Sequence, residues 1–202
     1  MKGRAHKVVS TNIADATAVL QQVAGLESQI EAASEIIADA LLAGRKLLAC
    51  GNGGSAADAS HLTTEFVVRF HKERRPYPAI SLTANGGDLT ACGNDYSFDD
   101  VFSRQVRAFG LKGDVLFAYT TSGNSENVLR ALNTARQYGV TTVAFLGREG
   151  GACAGIADVE LIVRHNVTAR IQEAHKLLLH TICELVELRL LAAAEAGEQP
   201  LT

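Results

Sequence analysis

Thr120-Thr121-Ser122-Gly123-Asn124-Ser125 puts four side-chain hydroxyls into six residues. Hydroxyls donate hydrogen bonds, and the first turn of a helix leaves N–H groups unpaired at the positive end of its dipole. Placed before a helix, this stretch suits a phosphate monoester. It contains no Lys or Arg, and the chain has no G-x-x-x-x-G-K-[ST], so it is not a P-loop. A plain Ser/Thr-rich helix cap would use fewer hydroxyls. A second small-residue stretch, Gly51-Asn52-Gly53-Gly54-Ser55-Ala56, fits the dinucleotide pattern G-x-G-x-x-A. That pattern needs an acid at the end of the next strand. The next strand here runs out through Ile80-Ser81-Leu82-Thr83-Ala84, which has none, so no nucleotide cofactor is expected.

The ionisable candidates lie elsewhere. His61 and Glu65 are four apart, which on a helix puts them on one face, within reach of one ligand or metal. An exposed surface pair has the same spacing. Gln172 and His180 are eight apart on a long helical pattern, about 80° round its axis. One broad face can present both. From its leucine-rich surroundings alone, His180 reads as a core histidine. Asn94-Asp95 reads as an ordinary Asx turn.

The elements that position these residues alternate. Apolar spacing predicts helix over residues 10–44, broken at Gly25. Strands are predicted at 46–50, 79–82, 115–119, 140–146 and 159–163, and helices at 56–70, 97–109, 126–138 and 168–195. Asn85-Gly86-Gly87-Asp88 reads as a turn, and 71–78, with two prolines and dense charge, as a loop. The tail from Gly197 through Pro200 is expected to fray. Such alternation implies one α/β domain over 1–202, with three α/β/α layers and a five-stranded parallel sheet at 46–165. Strand, small-residue loop and helix occur twice, at 46–70 and 115–138.

Composition closes off several function classes. The chain has 202 residues, 47% of them apolar, enough for one sizeable core. Nineteen Lys and Arg against 22 Asp and Glu give a net charge of -3, which argues against nucleic acid as a partner. Aromatics are 5% with no Trp, so base stacking is not expected. Cys50, Cys92, Cys153 and Cys183 form no C-x-x-C pair and read as free thiols of a reducing, cytoplasmic compartment. The first residues lack a signal-peptide core, and no apolar run is long enough to span a membrane.

Together the motifs resemble the phosphoheptose isomerases of the SIS (sugar isomerase) fold. The resemblance rests on Cys50-Gly-Asn-Gly-Gly-Ser55, His61-x-x-x-Glu65, Gly93-Asn-Asp-Tyr96, Phe102-Ser-Arg-Gln105, Gly113-Asp-Val115, Thr121-Ser-Gly-Asn-Ser125 and Arg170-Ile-Gln-Glu173. It runs from about residue 10 to 190 and implies a flavodoxin-like sheet. It further implies that sedoheptulose 7-phosphate is converted to D-glycero-D-manno-heptose 7-phosphate, the first step towards activated heptose.

By residue-wise transfer, Ser55, Thr120, Thr121, Ser122 and Ser125 hold the phosphate. Asn52, Gly53, Gly54, Asn94, Asp95, Glu65 and Gln172 contact the sugar. Glu65 and His180 match the family's acid/base pair, against the core-histidine reading. His61, Glu65, Gln172 and His180 match positions that bind one zinc per subunit in some members. The resemblance also implies a homotetramer, with active sites between subunits and the helices of 10–44 in the assembly. The alternative is a sister group of non-catalytic SIS modules that recruit the bacterial replication initiator. Those proteins lack the Glu/His pair present here.

Overall fold

The computed structural model describes residues 2–197, so most of the tail expected to fray lies outside the described residues. In chain order the elements are α1 (Lys2–Gln22), α2 (Glu27–Leu42), β1 (Leu47–Gly51), α3 (Gly54–Val67), β2 (Ala79–Ser81), α4 (Gly86–Asp95), α5 (Val101–Phe109), β3 (Val115–Thr120), α6 (Glu126–Gln137), β4 (Thr141–Gly147), β5 (Val159–Val163) and α7 (Thr168–Glu195). Single 3-10 turns lie at Val23–Leu26, Phe98–Asp100 and Gly151–Cys153.

All five strands are parallel, in the order β2-β1-β3-β4-β5. β1 and β3 are buried throughout because helices cover both faces, and their sequences are accordingly near-continuous apolar runs. Side chains alternate between the faces. Leu47, Ala49, Val115, Phe117, Tyr119, Val143 and Phe145 pack with residues of α1, α2, α3 and α7. Leu48, Cys50, Leu116, Ala118, Ala144 and Leu146 pack with residues of α4, α5 and α6. This is the three-layer α/β/α arrangement that the alternation of elements implied. All four cysteines are free and buried.

Four elements differ from the expectation. α1 begins at Lys2 rather than near residue 10. Its first turns carry Lys, Arg and Ala, which favour helix, but Gly3 and the lack of a strong apolar period hide the start. The segment expected as a turn after β2 starts α4 instead. Asn85 is its N-cap, its side chain accepting from the Gly87 N–H at 2.9 Å, and two glycines behind the cap disguise the start. α3 ends at Val67, not Phe70, so Phe70 belongs to the following loop. The helix expected from Ser97 is split, with Ser97 capping the 3-10 turn before α5.

The apolar stripe of the first two helices also divides. Val19 and Val23 are buried and Leu20 packs against the same core, whereas Ile13 remains 61% exposed. Among the described residues, no helix is long and apolar enough to cross a membrane.

Candidate active site

In an open parallel sheet the ligand crevice opens beyond the carboxyl ends of the strands, where the order reverses. Here the reversal falls between β1 and β3, which pair in register up to Gly51 beside Tyr119. α3 leaves β1 towards one face and α6 leaves β3 towards the other. Both small-residue loops therefore emerge side by side. An amide pair links them: Asn52 Nδ2 donates to Asn127 Oδ1 at 2.8 Å, and Asn127 Nδ2 donates back to Asn52 Oδ1 at 3.0 Å.

The hydroxyl loop folds inward on itself. Thr120 Oγ1 lies 3.0 Å from Ser125 Oγ and 3.3 Å from Ser122 Oγ, and accepts from the Gly123 N–H at 3.2 Å. Ser125 is the N-cap of α6, yet its side chain makes no cap hydrogen bond. The simple-cap explanation therefore fails for that residue, and three hydroxyls cluster at a helix N-terminus. Gly123 has φ +69°, and a Cβ there would strike the backbone of Gly150 and Gly151. Only glycine lets the loop lie against the turn after β4, where the Cys153 N–H donates to Gly123 O at 2.9 Å.

The glycine loop is shaped by a neighbour too. Gly53, at φ +57°, precedes α3. A Cβ on Gly54 would overlap the side-chain amide of Gln172, so glycine here lets α7 bring Gln172 up to the loop. Ser55 is buried in the first turn of α3.

Further along the same two helices the titratable groups meet. His61 Nε2 lies 2.7 Å from Glu65 Oε1 and 3.4 Å from His180 Nε2. Burial lowers the pKa of His180, and the positive charge that His61 and Lys176 can carry lowers it further, against an opposing pull from Glu65. His180 is thus biased towards the neutral form, which can accept a proton. Phe70 packs 5.8 Å from the His180 ring, centroid to centroid.

The Phe70 turn is held by Glu187, a nearly buried carboxylate. It accepts from the N–H groups of Phe70, His71 and Lys72 and pairs with Arg74 at 3.2 Å. Burial alone would raise the Glu187 pKa, but those backbone hydrogen bonds and the Arg74 charge outweigh it and hold it low. Arg74 also donates to Glu65 O at 2.5 Å and Phe66 O at 3.1 Å, satisfying carbonyls at the end of α3.

Three of the four residues matched to a zinc set thus come together: His61, Glu65 and His180. Their donor types suit zinc. The 3.4 Å between the two Nε2 atoms is close to the about 3.3 Å edge of a tetrahedral zinc, whereas the 2.7 Å from His61 Nε2 to Glu65 Oε1 is a hydrogen bond that would have to open for a metal to enter. The trio is a chain of contacts through His61, and among the described residues no three His, Cys, Asp or Glu side chains close into a finished cage. Gln172 sits at the Gly54 end of the crevice.

Asn94 and Asp95 are placed apart from both loops. They are exposed at the end of α4, where Asn94 Nδ2 donates to Asp95 Oδ1 at 2.7 Å. Asp95 lines a separate cleft with Tyr96 and Arg104.

Asn127, Asp58, Lys176, Arg74 and Glu187 were missed by sequence reasoning. Asp58, one turn before His61 on α3, and Lys176, one turn from both Gln172 and His180 on α7, carried a spacing signal; the others did not.

Comparisons with known proteins identify the family and the fold. A family model described as the SIS domain matches residues 12–147. The phosphoheptose isomerase of Aquifex aeolicus is 56% identical over 159 residues, 79% of this chain and 83% of that protein. That of Shewanella loihica is 50% identical over 165 residues, 80% of this chain and 84% of that protein. The solved structure of the phosphoheptose isomerase GmhA from Neisseria gonorrhoeae superposes with a TM-score of 0.86 at 41% identity, covering 91% of this chain and 98% of that one. The chain belongs to the phosphoheptose isomerase family of SIS-domain proteins.

Proposed function

We infer that the chain is an aldose–ketose isomerase that converts sedoheptulose 7-phosphate to D-glycero-D-manno-heptose 7-phosphate. The observation that supports this reading is an anion-suited hydroxyl loop at the switch point, beside the loop from which α3 leaves to carry His61 and Glu65 to His180 of α7. Moving a carbonyl from C2 to C1 needs a proton taken from C1, a proton returned at C2, and matched proton changes on the two oxygens. Paired acid/base groups do this through a cis-enediol without a redox cofactor.

The hydroxyls of Thr120, Ser122 and Ser125, with Thr121 and Ser55, anchor the phosphate. Anchoring fixes the far end of an opened sugar chain and so restricts where C1 and C2 can meet the acid/base pair. Glu65 carries the carbon-bound proton. His180, held largely neutral, exchanges protons with the oxygens. His61 donates from Nε2 to the Glu65 carboxylate and keeps it oriented.

We propose further that His61, Glu65 and His180 hold a zinc ion, with Gln172 completing the set. When bound, zinc supplies Lewis-acid stabilisation of developing negative charge on the sugar oxygens. The assembly is proposed to be a homotetramer with active sites between subunits. Val8, Val9 and Ile13 of α1 and Leu177, Leu185 and Leu188 of α7 are exposed apolar side chains that a neighbouring subunit would cover. The four buried free thiols support a cytoplasmic location. The non-catalytic replication-initiator module gains no support, since the Glu/His pair it lacks is present and in contact through His61.

The test is to incubate the protein with sedoheptulose 7-phosphate and follow the product by NMR. An aldose 7-phosphate is expected, and an unchanged ketose over hours at micromolar protein would reject the activity.

A further inference from the structure

We propose that Lys176, anchored by Asp58, is a positioning residue that holds His61 in the tautomer with its proton on Nε2, and thereby restrains zinc binding. The inference rests on the reading that His61, Glu65 and His180 bind zinc.

Lys176 Nζ lies 2.6 Å from Asp58 Oδ1 and 2.8 Å from His61 Nδ1. The Asp58 side chain is 7% exposed, so its charge is directed at Lys176 rather than at solvent. An ammonium group only donates, so Nδ1 of His61 must accept. A neutral imidazole that accepts at Nδ1 carries its proton at Nε2. That N–H then points at Glu65 Oε1, 2.7 Å away.

Zinc takes the lone pair of one imidazole nitrogen and leaves the proton on the other, which normally faces a carboxylate or carbonyl acceptor. At His61 the arrangement is the reverse. The nitrogen nearest Glu65 and His180 is protonated, and the remote nitrogen faces a cation. Binding a metal through Nε2 would turn Nδ1–H towards Lys176, so the ammonium would have to leave His61 and remain with Asp58 alone. Lys176 therefore favours the metal-free His61–Glu65 hydrogen bond over the metal-loaded site. Lys176 also lines an open pocket with Gly54, Asp58 and Gln172, so its side chain has room to swing away.

Zinc affinity of the full-length protein, measured by competition with a chromophoric chelator, tests this in Lys176→Met, Lys176→Gln and His61→Ala. Lys176→Met should bind zinc about tenfold more tightly or better, the low end of outer-shell effects on metal sites. Lys176→Gln loses the charge, and its amide can turn its oxygen to accept Nδ1–H, so it should also bind zinc more tightly. In metal-free protein, nitrogen-15 NMR of the His61 ring should show the Nε2–H tautomer in wild type and a smaller share of it in Lys176→Met, where only the Glu65 carboxylate still favours it. Unchanged or weaker zinc binding in Lys176→Met overturns the inference while His61→Ala still loses zinc. If His61→Ala keeps full zinc affinity, the metal reading itself fails, and the inference with it. Should Lys176→Met not fold, an Nδ1–H tautomer in wild type overturns the inference by itself, and an Nε2–H tautomer supports it.

Discussion

β1 with α3 and β3 with α6 are the same unit built twice, yet they do different work. The two strands run side by side in register, Leu47 beside Val115 and Gly51 beside Tyr119. Each ends in a loop of small residues that opens a helix. After the first loop, α3 places Asp58, His61 and Glu65 along one side and meets Lys176 and His180 of α7. After the second, α6 carries Glu126, Arg130 and Arg136 towards the surface, and the polar groups of interest are the loop hydroxyls and Asn127 in its first turn. Holding an anion needs donors fixed at a helix N-terminus, and moving a proton needs titratable side chains partly shielded from water. One loop supplies the first and one helix the second, and Asn52 with Asn127 joins them.

If that division of labour holds, variants in the two units should fail differently. Glu65→Gln keeps the shape of α3 but removes the base, so kcat should fall by about 10²-fold or more, the scale of general-base catalysis, with KM little changed. A fall in KM affinity without loss of kcat would move the chemistry away from α3.

α7 serves both units, and its two histidines should separate stability from catalysis. His175 is buried and donates from Nε2 to Leu146 O at 3.2 Å, while its Nδ1 has no partner among the described residues. Burial pushes its pKa down to about 4, so the native ring stays neutral where an unfolded chain, titrating near 6.5, takes up a proton. Stability is therefore full above pH 6.5 and declines as pH falls from 6.5 towards 4, by roughly 3 kcal/mol in all. Urea unfolding across that range should show the decline in wild type and lose this component in His175→Phe. An identical slope in both proteins would place the proton uptake elsewhere.

Ser122→Ala removes one donor from the second unit. KM for the phosphorylated sugar should rise by the equivalent of about 1.5–3 kcal/mol, with kcat largely retained. An unchanged KM would move the phosphate out of this loop. Asn127→Ala breaks the link between the units and leaves the Asn52 amide unpaired. It should destabilise the fold by about 1–3 kcal/mol and raise KM modestly, read by thermal unfolding and steady-state kinetics.

The sheet was legible because strands and helices alternate with clean punctuation, and because the central strands are uninterrupted apolar runs. The start of α4 was not, since two glycines follow its cap and mimic a turn. The hydroxyl loop announced itself by composition. The histidines did not: His175 and His180 both stand in one leucine-rich helix, and only the fold separates the first, against β4, from the second, against α3. Lys176 and Asp58 are ordinary charged residues 118 positions apart in sequence, joined only when α7 lies along α3. Asn127 likewise acts through a partner 75 residues away.

The most direct measurement runs the isomerisation in D₂O, in parallel with wild type and Glu65→Gln, and reads C2 of the product by NMR. Proton transfer through an enediol, which carries no hydrogen at C2, predicts solvent deuterium there in the wild-type product and very slow turnover by the variant. An unlabelled C2, formed as fast by Glu65→Gln as by wild type, would contradict a carboxylate on α3 carrying the proton.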